Sequence, residues 1–261
     1  MKKDDVKVVI LAGGFGTRLA EYTDKIPKPM VKIGPYPIIV HIMSHYASYG
    51  YNNFIIAGGY KVDEIKKYFR DFHFLISDFK VDLNTGEFQI INPSDVNWKV
   101  SVVNTGLNTM TGGRVKRLEN LLEDDEYFLL TYGDGLIDAN IDILVKEHTD
   151  SSKEITLTAV RPQARFGELS VQGNSIKSFK EKPQTMQGWI NGGYFVVNRS
   201  FLRRIEQDST VLEQSPLETA AIDGELNAHF HYGFWQCMDN IRDKGFLENL
   251  YLTGQCKWNA I

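Results

Sequence analysis

Between Leu11 and Met30 the chain reads LAGGFGTRLAEYTDKIPKPM, a set of residue types suited to handling phosphate. Gly13, Gly14 and Gly16 remove Cβ atoms where something must approach the backbone closely, and the peptide N–H groups of such a turn can converge on phosphate oxygens. Leu11, Ala12 and Thr17 flank that turn. Arg18 offers a planar guanidinium fork that matches β- and γ-phosphates. Lys28 stands between Pro27 and Pro29, and each proline restricts the backbone on its own side, so the ammonium is presented from a fixed segment. Much later, an apolar run ends in Gly133-Asp134-Gly135, and Asp239 closes GFWQCMD. Two carboxylates meeting at one phosphate could hold Mg²⁺ and neutralise charge on a transferring group. Each feature has a plainer counterpart: a tight turn, a surface arginine, a solvated lysine, a turn aspartate. Asp134 and Asp239 are far apart in sequence, which leaves their proximity open.

The elements that would position these residues are strand-like runs at Val6–Leu11, Asn53–Ala57, Val100–Asn104, Tyr127–Tyr132 and Ile155–Val160. Helical stretches are expected at Ile39–Tyr49, Lys61–Tyr68, Arg114–Leu122 and Ile141–His148. The alternation predicts an α/β fold: a mostly parallel, mixed sheet with helices on both faces, Rossmann-like, plus small β-rich insertions on one side. Ligands of such sheets sit at the carboxyl ends of the strands. The glycine loop, the GGY after Ala57, the TGLNTMTGGR after Asn104 and the GDG after Tyr132 therefore belong to one site. Asp71–Lys99, the run FGELSVQGNSIKSFKEKP and the run WINGGYFVVN are read as β-leaning insertions that cap the first half and supply a second substrate's pocket. One domain over residues 1–261 is expected, with a nucleotide half at about 1–150 and a sugar-phosphate half at about 151–261.

The loop is neither GxGxxG nor GxxxxGK[ST], which disfavours a dinucleotide site and a P-loop. LAGGFGTRL followed by PKPM instead resembles the sugar-1-phosphate nucleotidyltransferase family, whose signature is GGxGTRL followed by a Lys-Pro motif. The likeness continues through KPMVKIG, NTMTGGRVKR, TYGDG, RFGEL, FKEKP, INGGYFVVN and GFWQCMD. It is nearest to the cytidylyl-transferring members, which take CTP and glucose 1-phosphate. The resemblance implies a nucleotidyltransferase fold, direct attack of a sugar-phosphate oxygen on an α-phosphorus, Mg²⁺ on Asp134 and Asp239, and phosphate roles for Arg18 and Lys28. A homo-oligomer serving nucleotide-sugar synthesis for a bacterial surface polysaccharide is implied by the resemblance alone.

In the second half, Lys182 is expected to pair with the sugar phosphate and Glu181 to accept from sugar hydroxyls. Gly192 and Gly193 would let backbone groups reach the ring, with Asn191 adding side-chain hydrogen bonds. Cytosine needs a carbonyl for its amine and a donor for O2 or N3. Arg114, after Thr111-Gly112-Gly113, is the expected donor, with main-chain groups of Thr109 or Gly58. Trp235, Phe234 and Tyr194 are candidates to wall the sugar pocket. His41, His45, His148, His229 and His231 are read as structural or surface histidines and not as metal ligands, and no Ser/His/Asp or Cys/His set is needed, because the acceptor phosphate is already an anionic nucleophile.

The bulk properties narrow the alternatives. A formal charge of −4 over 261 residues comes with no basic stripe, so polymeric nucleic acid is not an expected partner. Cys237 and Cys256 have no CxxC spacing, which argues against a disulfide scaffold and fits a reducing cytoplasm. The sequence shows neither a signal-like segment nor a membrane-spanning run. Two rival functions share the scaffold: a thymidylyl or uridylyl transferase, and a catalytically silent binder of sugar nucleotides, which would be expected to lose Lys28, Asp134 or Asp239.

Overall fold

The structure, a computed structural model, describes residues 2–162, 168–172, 175–180 and 188–259. The apolar run after Lys7 forms a strand because both of its faces are covered. Val8, Ile10 and Ala12 enter one core with Phe54, Ile56 and the helix Ile38–Ala47. Val9 and Leu11 enter a second core with Ile55, Phe128, Leu130 and Leu217. A strand buried on both sides loses the polar alternation of a half-exposed one, which accounts for the unbroken VVIL.

Seven strands make the central sheet: β1 (Lys7–Ala12), β2 (Asn53–Gly58), β3 (Lys99–Asn104), β4 (Tyr127–Tyr132), β5 (Ile155–Val160), β6 (Ile190–Asn198) and β7 (Leu226–His231). Their order is β7-β5-β6-β4-β1-β2-β3. All neighbours run parallel except β6, which is antiparallel to both β4 and β5. The chain moves from β1 to β2 on one side and returns to β4 on the other, so a crevice opens between the carboxyl ends of β1 and β4, where ligands of such sheets are received. This mostly parallel, mixed sheet with helices on both faces is the expected fold class.

Four expectations are corrected. The run WINGGYFVVN is no capping insertion: Ile190–Asn198 is a central strand, with Phe195 opposite Leu130 in β4 and Leu157 in β5. Its apolar residues alternate between the two cores, so Tyr194 and Val196 face one and Phe195 and Val197 the other. Within Asp71–Lys99, the helix expected to end at Tyr68 runs from Val62 to Leu75, because Phe72 continues the buried face begun by Val62 and Ile65. The rest of that segment forms a hairpin, Asp78–Val81 with Phe88–Asn92, and it lines neither of the clefts described below. The helix expected over Arg114–Leu122 is likewise divided into Thr111–Lys116 and a 3₁₀ turn at Glu119–Leu122.

Candidate active site

The loop after β1 carries out the turn that its glycines permit. Gly16 has φ 64°, the left-handed region that glycine enters without a Cβ penalty. Thr23 Oγ1 donates to the Gly16 and Leu19 carbonyls and holds the turn from below. Lys28 opens a 3₁₀ turn, Lys28–Met30, whose Pro29 and Met30 are buried. The Met30 N–H donates to the Pro27 carbonyl and the Val31 N–H to that of Lys28. The lysine is therefore fixed at its root, as its flanking prolines predict.

Asp134 and Asp239 meet despite their distance in sequence. A short antiparallel ribbon joins them, Gly135–Ile137 against Trp235–Cys237, with Gly135 opposite Cys237. The Met238 N–H donates to the Asp134 carbonyl at 2.8 Å. The Asp239 N–H donates to Asp243 Oδ2, the residue that closes a capping box with Asn240 at the start of the helix Ile241–Leu252. Gly133 has to be glycine, since a Cβ there would lie 2.9 Å from the Leu11 carbonyl and 3.0 Å from Pro29 Cγ.

Lys28 Nζ lies 2.5 Å from Asp134 Oδ2 and 2.8 Å from Asp239 Oδ1. Arg18 reaches the other oxygen of Asp239 at 2.5 Å. Burial opposes the charge on Lys28, but Asp134 and then Asp239 outweigh it, and the lysine pKa is raised. Burial would likewise raise the Asp239 pKa, and its bonds to Lys28 and Arg18 bring it down instead. Lys28 and Asp239 are both charged at neutral pH. Two carboxylate oxygens converging on one cationic point fit the habit of Mg²⁺, which takes one or two carboxylates and completes its octahedron with phosphate and water. Among the described residues no group of three or more His, Cys, Asp or Glu could hold a metal, so a protein-only cage is not built here.

Two clefts share this cluster. The larger, about 600 Å³, is lined by residues 11–18, Lys28, Leu107–Thr111, Arg114, Tyr132, Gly133, Asp134 and Asp239. The smaller, about 230 Å³, is lined by Thr131, Tyr132, Asp134, Asn191, Gly192, Gly193, Tyr194, Trp235, Cys237 and Asp239. Leu11, Ala12, Gly13, Gly14, Gly16, Thr17, Arg18, Lys28, Thr109, Thr111, Arg114 and Gly133 are thus brought together at the first, and Asn191, Gly192 and Gly193 at the second. Glu181 and Lys182 lie outside the described residues.

Three expected site residues serve other purposes. The Gly58 carbonyl accepts from Thr105, and Gly113 packs where a Cβ would meet Asp208 at 2.4 Å; neither lines a cleft. Arg114 is 4% exposed, and its terminal nitrogens serve the loops. NH1 donates to Thr105 Oγ1 at 2.8 Å and the Gly106 carbonyl at 2.6 Å, with Gly58 at 3.3 Å. NH2 donates to the Gly13 carbonyl at 3.0 Å and that of Leu107 at 3.2 Å. The guanidinium therefore fastens the glycine loop to the Thr105–Leu107 loop and does not extend those donors toward a base. Gly192 and Gly193 are required by packing as much as by access. A Cβ on Gly192 would lie 2.9 Å from the Thr158 carbonyl, and Gly193 has φ 81° with Tyr132 Cδ2 at 2.5 Å from its Cβ position. Of the aromatic candidates, Trp235 and Tyr194 line the smaller cleft, while Phe234 stacks on Trp258.

Tyr132 was the omission with most consequence, since it lines both clefts. Its place immediately before Gly133-Asp134, at the carboxyl end of a strand, was the available signal. Cys237 also lines the smaller cleft, but burial, then Asp239 and Asp134, push its thiol up to about 12. It stays protonated and is no nucleophile.

Residues 7–236 match the family model described as nucleotidyl transferase. The glucose-1-phosphate cytidylyltransferase of Salmonella typhi is 46% identical over 255 residues, spanning 98% of this chain and 99% of that protein. A Bacillus subtilis (strain 168) protein named "Probable glucose-1-phosphate cytidylyltransferase" is 39% identical, spanning 98% and 100%. Among solved structures, HddC from Yersinia pseudotuberculosis superposes with a TM-score of 0.69 at 23% identity, over 94% of this chain and 99% of that one, a likeness of fold.

Proposed function

The chain belongs to the nucleotidyl transferase family, and from that premise we propose that it transfers CMP from CTP to α-D-glucose 1-phosphate, releasing pyrophosphate. The observation that carries this reading is the junction of the two clefts at Tyr132, Asp134 and Asp239, with Lys28 paired to both carboxylates from the side of the larger cleft. A triphosphate nucleotide suits the larger cleft with its glycine loop, and a sugar phosphate the smaller. Among the described residues their common walls are Tyr132, Asp134 and Asp239, so the reacting phosphorus belongs there.

An oxygen of the sugar phosphate attacks the α-phosphorus as the bond to the β-phosphate oxygen breaks and pyrophosphate departs in line. The attacking oxygen is already anionic, so positioning and charge neutralisation supply the catalysis. Lys28 serves the α-phosphate and Arg18 the β- and γ-phosphates, while the N–H groups of the glycine loop face the same anion. Asp134 and Asp239 would hold Mg²⁺, which when bound neutralises charge on the phosphates. Asn191 faces the sugar, and Lys182 and Glu181 retain the sugar-phosphate and hydroxyl roles that the family likeness gives them. The base is read by the main chain of the Leu107–Thr111 loop, with Thr109 the leading candidate and Arg114 holding that loop in place.

No helix among the described residues is long and apolar enough to cross a membrane. A cytoplasmic homo-oligomer completes the proposal, and light scattering reads the oligomer directly. The test of the reaction is a competition: CTP, UTP, dTTP, GTP and ATP at equal concentration with glucose 1-phosphate and Mg²⁺. CDP-glucose is expected to dominate the products. Another nucleotide sugar in its place, or none at all, would overturn the reading.

A further inference from the structure

A carboxylate outside both clefts ties them together. Glu213 lies in the exposed segment before the helix Ser215–Ile222 and lines neither cleft. Thr111 Oγ1 donates to its Oε2 at 2.6 Å, and Tyr132 O–H donates to its Oε1 at 2.5 Å. Behind Thr111, the Leu212 N–H donates to Thr111 Oγ1 at 2.9 Å. Behind Tyr132, Asn191 Nδ2 donates to the phenol oxygen at 3.2 Å, and the Gly193 N–H donates to Asn191 Oδ1 at 2.8 Å. Two chains of donors, one from each cleft, therefore end on the two oxygens of one anion. Chains of this kind polarise link by link, and an ionised acceptor at the end strengthens every member.

The direction of each bond fixes what the clefts offer a ligand. Tyr132 has committed its only proton to Glu213, so toward a sugar hydroxyl it can only accept. Asn191 accepts from Gly193 on one lone pair of its oxygen and gives one N–H to Tyr132, which orients the amide and leaves its other N–H and its second lone pair for a ligand. Thr111 has likewise spent its proton and faces the nucleotide cleft as an acceptor.

We propose that Glu213 is a positioning residue that sets the donor and acceptor sense of Thr111, Tyr132 and Asn191 and so couples nucleotide binding to sugar-phosphate binding. This deepens the two-substrate reading and rests on it. Substrate ordering at Thr111 or at Tyr132 is felt at the other through one shared carboxylate, although Glu213 touches neither substrate.

The variants are Glu213→Ala, Glu213→Gln and Thr111→Val, with thermal midpoints confirming that each is folded. Glu213→Ala is expected to raise the KM of both CTP and glucose 1-phosphate about tenfold, the scale of one charge-assisted hydrogen bond. Glu213→Gln keeps the shape but has one acceptor oxygen in place of two, so one substrate's KM recovers and the other stays raised. Thr111→Val is expected to raise the KM of glucose 1-phosphate in the wild-type background and to leave it unchanged in Glu213→Ala. Wild-type behaviour of Glu213→Gln, or equal Thr111→Val effects in both backgrounds, would overturn the proposal. A readout independent of turnover separates it from the reading beneath it: the side-chain amide resonance of Asn191 in the ligand-free protein. Thr111→Val should shift that resonance when Glu213 is present and not when it is Ala. Absence of the shift refutes the coupling even if CTP is used normally, and its presence supports the coupling even if CTP is not the nucleotide.

Discussion

Replacing Gly13 with alanine would put a Cβ 2.1 Å from Arg114 Cζ, 2.3 Å from NH1 and 2.4 Å from Nε. Gly13 is not among the positive-φ glycines, so alanine can adopt its backbone conformation, and the cost falls on the guanidinium. That group is the far end of a flexible side chain, but it is held by five hydrogen bonds. The three to the Gly13 carbonyl, the Gly58 carbonyl and Thr105 Oγ1 are buried, while those to Gly106 and Leu107 lie where water can replace them. At about 1–1.5 kcal/mol net for each of the three buried contacts, eviction costs roughly 3–4.5 kcal/mol. Arg114→Ala removes the same contacts and is expected to cost about the same. In the double variant the added Cβ meets the space that the guanidinium has left, so Gly13→Ala then costs roughly nothing, or gains a few tenths through the unfolded chain. The coupling energy is thus as large as either single effect, which is the signature of one shared interaction. Urea unfolding of the four proteins, compared at constant m-value, measures it. Additive losses, with Gly13→Ala as damaging without Arg114 as with it, would refute the clasp.

Lys182→Ala is expected to weaken glucose 1-phosphate roughly 10- to 150-fold while sparing CTP, as loss of one charge-assisted contact; equal weakening of both in steady-state kinetics would place the lysine elsewhere. Gly193→Ala, forced to φ 81° with its Cβ 2.5 Å from Tyr132 Cδ2, should displace the ring and raise the KM for glucose 1-phosphate more than that for CTP; the reverse order would contradict Tyr132's place at the sugar cleft. His45 is held neutral by burial, with its pKa lowered to about 4, against a bond to the Ala139 carbonyl that acts to raise it. Below the ordinary value of about 6.5 the unfolded chain takes a proton that the folded one refuses, so stability falls with pH, by about 2 kcal/mol from this residue at pH 5. Urea midpoints at pH 7.5 and pH 5 should lie closer together in His45→Gln; an unchanged gap would count against a neutral His45.

Parts of this site are legible in sequence because local chemistry alone specifies them. The apolar run into Gly13-Gly14 announces a doubly covered strand and a backbone that must be approached, and the prolines about Lys28 announce a fixed cation. The meeting of Asp134 with Asp239 is not local: it depends on a ribbon only three residues long on each side, too short for any periodicity to register. The place of Ile190–Asn198 is not legible in sequence, because two glycines precede the run Tyr194–Val197 and in isolation such a run suits a surface hairpin as well as a central strand. The register irregularity in β5 between Leu157 and Ala159, opposite those glycines, is what accommodates them. Arg114 belongs to the site, but its role depends on carbonyls of two loops and of the end of β2 that only the fold brings within reach. Glu213 carries no motif, and its significance comes entirely from which two hydroxyls end on it.

The central claim is that the α-phosphorus of CTP reacts where the two clefts meet, between Asp134 and Asp239. The most direct measurement follows the α-phosphorus itself, with CTP labelled at that atom, glucose 1-phosphate and Mg²⁺, in the wild-type protein and in folded Asp134→Asn and Asp239→Asn. The account predicts label in CDP-glucose for the wild type and a fall in kcat of about 10²-fold or more in each variant, the scale of losing one preorganised electrostatic contact. Label appearing in CDP-glucose at the wild-type rate in either folded variant would contradict it.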